Sequence, residues 1–300
     1  MMGYDESFLT RSIADVREAI DEPVVSAKYS DARIINHLEK SYILVLNEVN
    51  RNSKTPAVVK QTITLAANTT KYALPHVMGA FLGLYDSADG GGKVFYDGRS
   101  RYNPYGQGIW LEGHTLNIQS IEGAGLVLTV EWIPSGIARL HNGKCTINAG
   151  GTIITFGASP NAGVLDTHHQ AYAGSVLRIL EVDGATATGN YMQERNIASY
   201  DEITRQATLD VALDPVPTTS DGYIYYEIAP AISKGMDSVV PLYVAYRLMV
   251  IEGNLKRANG ILAAYRNELR NVRLTAYYSN MPEAPRVRQD GYDNSRYRRC

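Results

Sequence analysis

The chain has 300 residues, of which 45% are hydrophobic, and its 29 Lys and Arg against 31 Asp and Glu give a formal net charge of −2. This length and apolar fraction exclude bulk disorder, and the balanced charge disfavours a protein that coats nucleic acid nonspecifically. No apolar run reaches the roughly 18 to 20 residues of a membrane span, and the first residues are acidic where a signal peptide is basic, so we expect a soluble protein made without export.

Two amphipathic helices are predicted in the first 60 residues. The apolar positions of the first repeat every three or four residues, which is the spacing of one helix face: Leu9, Ile13, Val16 and Ile20. Pro23 ends this helix, and Ser30 stands where the N-cap of a second helix belongs. The second helix is predicted from about Asp31 to Arg51, with apolar positions at Ile34, Leu38, Tyr42, Val45 and Val49.

The helical pattern returns between Pro241 and about Tyr278. Glu252 interrupts its apolar stripe, and the glycines that follow are poor helix formers, so the segment forms either two helices or one kinked helix. The stripe comprises Leu242, Ala245, Leu248, Leu255, Leu262, Tyr265, Leu269 and Val272. Because short amphipathic helices do not bury their faces alone, we predict that residues 1–60 and 230–280 form one helical bundle.

The middle of the chain is predicted to be antiparallel β structure inserted between these helices. Short alternating runs are separated by Gly, Asn, Asp and Pro clusters, and βαβ signals are few. We expect a β domain over 61–140 and an inserted β module over 141–229, built as a sandwich or small barrel. Leu116 and Ile118, followed by a glycine-containing turn and the alternating stretch 126–130, predict a hairpin. The predicted fold class is therefore α+β.

The segment 281–300 has no helical or strand periodicity and carries five arginines against three acids. Such a segment does not fold on its own. It is either a frayed terminus or an arm that becomes ordered on a partner. Arginine and tyrosine are enriched at interface anchors, and the candidate anchors here are Arg286, Arg288, Tyr292, Arg296, Tyr297 and Arg298.

Positive charge also concentrates on the C-terminal helices. Six basic residues against two acids give this stretch a net charge of +4, and the basic residues are Arg247, Lys256, Arg257, Arg266, Arg270 and Arg273. One interpretation is a solvated helix face. The other is a surface that meets an acidic partner or passing DNA. A chain of net charge −2 with a positive helix is polarised, which suits the stacking of one subunit on another.

No catalytic constellation is predicted. The GGGKV segment at 90–94 lacks the first glycine and the final hydroxyl of a phosphate loop, so a turn is favoured. The sequence has no GxSxG nucleophile elbow. Asp201 and Glu202 are predicted to lie in a turn between two strands. We therefore expect neither enzyme activity nor a cofactor.

The histidines and cysteines do not predict a metal site. Two cysteines are too few for a disulfide framework or a four-thiolate zinc site. His168 and His169 are adjacent, so their side chains point apart in a strand. His141 and Cys145 are four residues apart, but the residues between them predict a turn, and further donors would be needed, with Asp166 as one candidate.

Five segments, in chain order, resemble parts of one family of virion proteins. Residues 4–49 resemble its opening pair of helices joined by an acidic turn, and 62–75 resembles the following strand that ends in Tyr-x-Leu-Pro. Residues 110–140 resemble its strand pair, and 240–272 its closing helices with a central break. Residues 171–228 are similar to a β module of phage virion proteins. The family is that of the head-to-tail adaptors, or connector and head-completion proteins, of tailed bacteriophages.

This resemblance implies a structural virion protein without enzyme activity or cofactor. It implies a homo-oligomeric ring, commonly of twelve subunits, at the neck between head and tail. The ring would dock under the portal protein, with a tail or nozzle protein below it and genomic DNA passing through during ejection. The C-terminal arm would bind the portal, and the basic helix residues would lie mainly at subunit interfaces. The protein would be made in the host cytoplasm and would not bind a membrane.

Two other functions stay open. Another virion part, such as a baseplate, tail-tube or fibre-attachment protein, would share the β module but lack helices at both ends. A carbohydrate-binding or glycan-cleaving β protein would need exposed tryptophans. The chain has Trp110 and Trp132, and the latter lies in an apolar strand that we expect to be buried.

Overall fold

The predicted α+β class is confirmed in a computed structural model of the chain. Within the described residues the chain forms four α-helices and twelve β-strands, and every strand pair is antiparallel. No helix in this part of the chain is long and apolar enough to cross a lipid bilayer. The structure describes residues 8–22, 28–51, 58–86, 108–119, 125–157, 163–183, 193–219, 223–230 and 236–279.

Both N-terminal helices lie where the sequence predicts them. They are α1 (Phe8–Ile20) and α2 (Asp31–Arg51), and the nine predicted apolar positions on their faces are all buried. The Ser30 hydroxyl caps α2 by accepting a hydrogen bond from the backbone N–H of Arg33 at 3.3 Å. The Arg17 guanidinium holds the two helices in register, because it contacts Glu22 at 2.8 Å and Asp31 at 2.6 Å.

The C-terminal segment forms two helices, which confirms one of the two predicted alternatives. They are α3 (Val239–Ile251) and α4 (Leu255–Ser279), separated by Gly253 with φ of +77°. One prediction within this segment is wrong, since Leu255 is 61% exposed. The turn at Gly253 redirects the chain, so Leu255 begins a new helix instead of continuing the buried face of α3. Glu252, the predicted break, accepts a 2.8 Å hydrogen bond from the Tyr29 hydroxyl.

Buried side chains of all four helices pack in one hydrophobic core. Helix α3 lies at the centre of this core and packs against α1, α2 and α4. Its buried residues cover most of its circumference, as expected for a helix with neighbours on several sides. They are Val239, Val240, Pro241, Val244, Ala245, Leu248 and Met249.

The first β region consists of two three-stranded sheets with a shared core around Trp132. The strand order is β1-β6-β3 in one sheet and β2-β5-β4 in the other. Trp132 is only 2% exposed, as predicted from its apolar strand. The strands are β1 (Val59–Thr64), β2 (Lys71–Ala73), β3 (Met78–Asp86), β4 (Gly108–Glu112), β5 (Thr115–Gln119) and β6 (Val127–Pro134).

The hairpin predicted between β5 and β6 is wrong, because these strands belong to different sheets. Strand β5 pairs instead with β4, and the tight turn between them has Gly113 at φ of +60°. A turn this short fixes the register in which β4 and β5 pair. Strand β6 lies between β1 and β3, so both of its edges are already paired.

The second β region is a closed six-stranded barrel in the order β10-β11-β8-β7-β12-β9. Its interior is filled by aromatic rings. Phe156 is stacked on Tyr226 with ring centroids 4.6 Å apart, and Tyr172 is edge-on to Tyr200 with centroids 4.8 Å apart. The barrel is therefore a packed core and not a channel. Its strands are β7 (His141–Ile147), β8 (Ile153–Phe156), β9 (Val176–Val182), β10 (Glu194–Asp201), β11 (Gln206–Leu209) and β12 (Ile224–Ala229).

One local prediction within the barrel is wrong, because the expected turn between His141 and Cys145 is strand β7. Asn142 pairs with Glu227, and Gly143 pairs with Tyr226. Because β7 is bonded to neighbours on both sides, β8 and β12, barrel closure overrides the local turn propensity of these residues. The turn predicted at Asp201 is confirmed, and its carboxylate accepts a 2.8 Å hydrogen bond from the backbone N–H of Ile203.

Candidate interaction surfaces and a histidine–aspartate cluster

The predicted portal-binding arm lies outside the described residues. This applies to Arg286, Arg288, Tyr292, Arg296, Tyr297 and Arg298. Arg273 lies within α4, but its side chain is outside the described part. The other five residues of the predicted basic helix are described, and the structure separates them into two groups.

Three of them form one exposed surface, which we call the basic face of α4: Lys256, Arg266 and Arg270. At about 100° per residue these positions span an arc of about 80°, whose centre lies about 140° around the helix from the buried Tyr265. None of the three side chains forms an ion pair with another described residue. Their charge is therefore available to a partner.

The other two basic residues, Arg257 and Arg247, are only partly exposed. The Arg257 guanidinium donates a 3.1 Å hydrogen bond to the carbonyl of Ala19 and lies 3.5 Å from the Asp21 carboxylate, so it ties α4 to the end of α1. Arg247 is half-buried. Together with burial, which is the larger effect, its charge lowers the pKa of His37 on α2. Arg257 therefore stabilises the packing of α4 against α1.

Helix α1 carries an acidic counterpart that the sequence pattern does not predict. Asp15 and Glu18 lie one turn apart and are both exposed, and we call this pair the acidic face of α1. Partial burial and the neighbouring Glu18 charge raise the pKa of Asp15, while Arg11 has the opposite effect. A pair of close like charges gains from a cationic partner. The helical region thus presents an acidic face and a basic face on different helices.

An apolar corner adjoins the basic face where α3 meets α4. Val250, Ile251 and Leu255 are 41%, 56% and 61% exposed. Large apolar side chains that cluster at the surface are typical of protein contact sites, whereas scattered ones need no explanation. We call these three residues the apolar corner. It lies directly before Lys256 in the sequence, so charge and apolar area occur together.

The helices are tied to the barrel through buried polar contacts. The carboxylate of Glu227 on β12 accepts a hydrogen bond from the backbone N–H of Phe8 at the start of α1, and it lies 3.3 Å from the Arg178 guanidinium. Burial raises the pKa of Glu227, and Arg178 acts against this shift. Glu39 of α2 accepts a 3.1 Å hydrogen bond from the N–H of Leu140, directly before β7. These contacts fix the helices on the barrel.

Two histidines and an aspartate meet between the first β region and the barrel. His76 lies in the turn between β2 and β3, while Asp166 and His168 lie in the loop before β9. The Asp166 carboxylate is 2.6 Å from His168 Nδ1 and 3.9 Å from His76 Nε2. The two imidazole rings are stacked with centroids 4.3 Å apart. Burial lowers the pKa of His76.

Asp166 and His168 are noted from the sequence, whereas His76 is not. His76 is far from the other two along the chain, so no spacing rule connects them. The pairing is a consequence of how the first β region packs beside the barrel. His169, the neighbour of His168, takes no part and lies 2.9 Å from the Glu202 carboxylate instead.

The sequence matches no protein-family model, and it matches no curated protein at a significant level.

Proposed function

We propose that this chain is a subunit of the head-to-tail adaptor ring of a tailed bacteriophage, a structural protein that joins the portal to the tail. The observation that carries the proposal is the presence of a basic face on α4 and an acidic face on α1 within one helical core. Complementary surfaces at two different places of a subunit suit a head-to-tail contact, and such contacts close into a ring when the rotation permits.

The charges and the apolar corner have different roles in this interface. An exposed ion pair contributes about 0–1 kcal/mol, so Lys256, Arg266 and Arg270 orient the neighbouring subunit more than they hold it. The apolar corner supplies affinity, because burying apolar surface contributes about 25 cal/mol per Å². Mixed interfaces of this kind, with an apolar centre and a charged rim, are common in protein assemblies.

The remaining parts of the chain are assigned as follows. Residues 1–60 and 230–280 form the adaptor bundle, and segment 281–300 is the arm that binds the portal. The β domain over 61–140 and the barrel module over 141–229 contact the tail or nozzle protein. About twelve copies, the number typical of the family that the sequence resembles, surround the passage for genomic DNA at the neck of the virion. The role is structural and not catalytic.

The buried tryptophan disfavours the carbohydrate-binding alternative. Trp132 is 2% exposed and offers no stacking surface for a sugar ring, and Trp110 is only partly exposed. Four aromatic rings of the barrel fill its packed interior, those of Phe156, Tyr172, Tyr200 and Tyr226. The exposed ring of Tyr223 is covered by the Lys144 ammonium, which lies 3.3 Å from its centroid. These observations support a protein that interacts through its helices.

The location of the protein in the virion tests the proposal. The chain is tagged in the phage that encodes it, and purified particles are examined by electron microscopy. We expect the label in a ring between portal and tail. A label at the tail tip or on fibres would transfer the protein to another virion part, and unlabelled particles would reject a virion role altogether.

Charge reversal tests the proposed interface. Lys256→Glu with Arg266→Glu and Arg270→Glu is expected to abolish ring assembly by like-charge repulsion, and adding Asp15→Lys with Glu18→Lys is expected to restore it. Assembly is measured by native mass spectrometry of the purified protein with its portal. Glu112→Lys, an exposed charge change on β4, is the matched control and leaves assembly intact. Rings that survive the triple reversal would contradict the interface.

A further inference from the structure

We propose that His76, Asp166 and His168 bind one divalent transition-metal ion, with Zn²⁺ as the ion whose preferences they match best. One ligand atom from each residue lies within 4.8 Å of the other two. Two imidazole nitrogens and one carboxylate oxygen are a known zinc ligand set, in which a water molecule takes the fourth position. The proposal is independent of the function proposed above.

The spacing is close to what a tetrahedral ion requires. With bonds of about 2.0–2.1 Å, the ligand atoms of Zn²⁺ lie about 3.4 Å apart. The 3.9 Å between His76 Nε2 and Asp166 Oδ2 exceeds this by about half an ångström. The His168 side chain is 63% exposed, so its ring is free to turn from the hydrogen bond with Asp166 towards an ion.

The carboxylate is already held in place by groups around it. Asp166 Oδ2 accepts a hydrogen bond from the N–H of Arg139 at 3.2 Å, and Oδ1 accepts one from the N–H of His168 at 3.0 Å. The backbone of Asp166 is fixed as well, since its carbonyl accepts a 3.1 Å hydrogen bond from the Tyr200 hydroxyl. A metal site gains affinity when its ligands are oriented beforehand.

The imidazole of His76 is the least satisfied member of the cluster. Its Nδ1 is buried without a hydrogen-bond partner among the described residues, and its Nε2 lies beyond hydrogen-bond distance of Asp166. Of the two ring nitrogens, Nδ1 is therefore the buried one without a partner in the described chain, and Nε2 is the one that faces the carboxylate. An ion between Nε2 and the carboxylate would take both as ligands and would leave Nδ1 as it is.

The proposed site lies between two regions of the chain. His76 belongs to the first β region, and the other two ligands belong to the loop that leads into β9 of the barrel. An ion held by all three would connect the two regions. Because an ion that binds the folded chain alone stabilises it by mass action, Zn²⁺ is expected to raise the melting temperature.

Metal titration of the tag-free, full-length protein tests the proposal. After removal of metal with a chelator, Zn²⁺ is added and binding is followed by calorimetry, native mass spectrometry and thermal unfolding. We expect one ion per chain and a melting temperature that rises with Zn²⁺ and falls again with chelator. His76→Ala and His168→Ala are each expected to weaken binding beyond the roughly 10- to 100-fold that is typical of outer-shell partners.

His169→Ala is the matched control, since it removes the neighbouring exposed histidine and should leave binding unchanged. Circular dichroism checks that each variant is folded, and His168→Ala is the safer of the two ligand variants because its side chain is mostly exposed. Absence of stoichiometric binding at micromolar Zn²⁺ would overturn the proposal. Equal affinity in the folded variant His168→Ala would also overturn it.

Discussion

The barrel and the helical core differ in how their polar groups are paired. In the barrel the hydroxyls of Tyr172, Tyr200 and Tyr226 all have hydrogen-bond partners, and their rings fill the closed interior. The helical core is equally well buried inside, yet it leaves a basic face, an acidic face and an apolar corner at its surface. The tyrosine hydroxyls inside the barrel are paired within the chain, whereas the helices carry exposed groups that a partner would satisfy.

The largest expected effect tests the packing of the barrel interior. Phe156→Ala removes a ring that is 2% exposed and stacked on Tyr226, so we expect the free energy of unfolding to fall by about 3–5 kcal/mol. Ile203→Ala, at a position 85% exposed on the same barrel, should change it by less than about 0.5 kcal/mol. Denaturant unfolding followed by circular dichroism measures both, and similar midpoints for the two variants would refute a packed barrel interior.

The difference between these regions also explains what the sequence predicts well. Positions such as Ile13, Val16 and Leu38 follow the 3.6-residue period, and a helix of that period must bury them together, so the helices are found at the right residues. The helical period is interrupted at Gly253, where the chain turns into a new helix. The predicted burial of Leu255 is wrong for this reason.

Strand pairing is less accessible from the sequence, because it is decided by contacts between distant segments. The residues between His141 and Cys145 have turn propensity, yet hydrogen bonds to β12 hold them in a strand. For the same reason the histidine–aspartate cluster could be predicted only in part. Asp166 and His168 are neighbours in sequence, but His76 reaches them through the packing of one β region beside another.

A smaller effect tests the polar interior of the barrel through pH. Burial lowers the pKa of His141 from its ordinary 6.5 to about 4, and its Nδ1 lies 2.9 Å from the Tyr226 hydroxyl. The unfolded chain therefore binds a proton at a higher pH than the folded chain does. The contribution of neutral His141 to the free energy of unfolding is complete above pH 6.5 and is lost as the pH falls towards 4. At pH 5 the loss is about 2 kcal/mol.

Unfolding measured at pH 7 and pH 5 in the wild type and in His141→Gln isolates this effect. Glutamine does not titrate, so the part of the pH dependence that belongs to His141 should disappear while the contribution of the carboxylates remains. A variant whose stability falls by as much as that of the wild type between the two pH values would show that His141 is not the titrating group.

The smallest expected effect distinguishes two neighbouring basic residues of α4, Arg257 and Lys256. Arg257→Ala is expected to lower the free energy of unfolding by about 0.5–1 kcal/mol, because its guanidinium binds the carbonyl of Ala19 in the last turn of α1 and lies near the exposed Asp21 carboxylate. Lys256→Ala removes a charge without an ion-pair partner in the described chain and should change stability by less than about 0.5 kcal/mol.

The effects of these two substitutions on ring assembly should have the opposite order to their effects on stability. If the basic face of α4 meets a neighbouring subunit, Lys256→Ala weakens ring formation more than Arg257→Ala does, although it costs the isolated subunit less. Thermal unfolding and native mass spectrometry of the same two variants give both rankings. If Arg257→Ala had the larger effect in both assays, the loss of assembly would follow from loss of stability, and the separation of the basic residues into an internal group and a partner-binding group would be wrong.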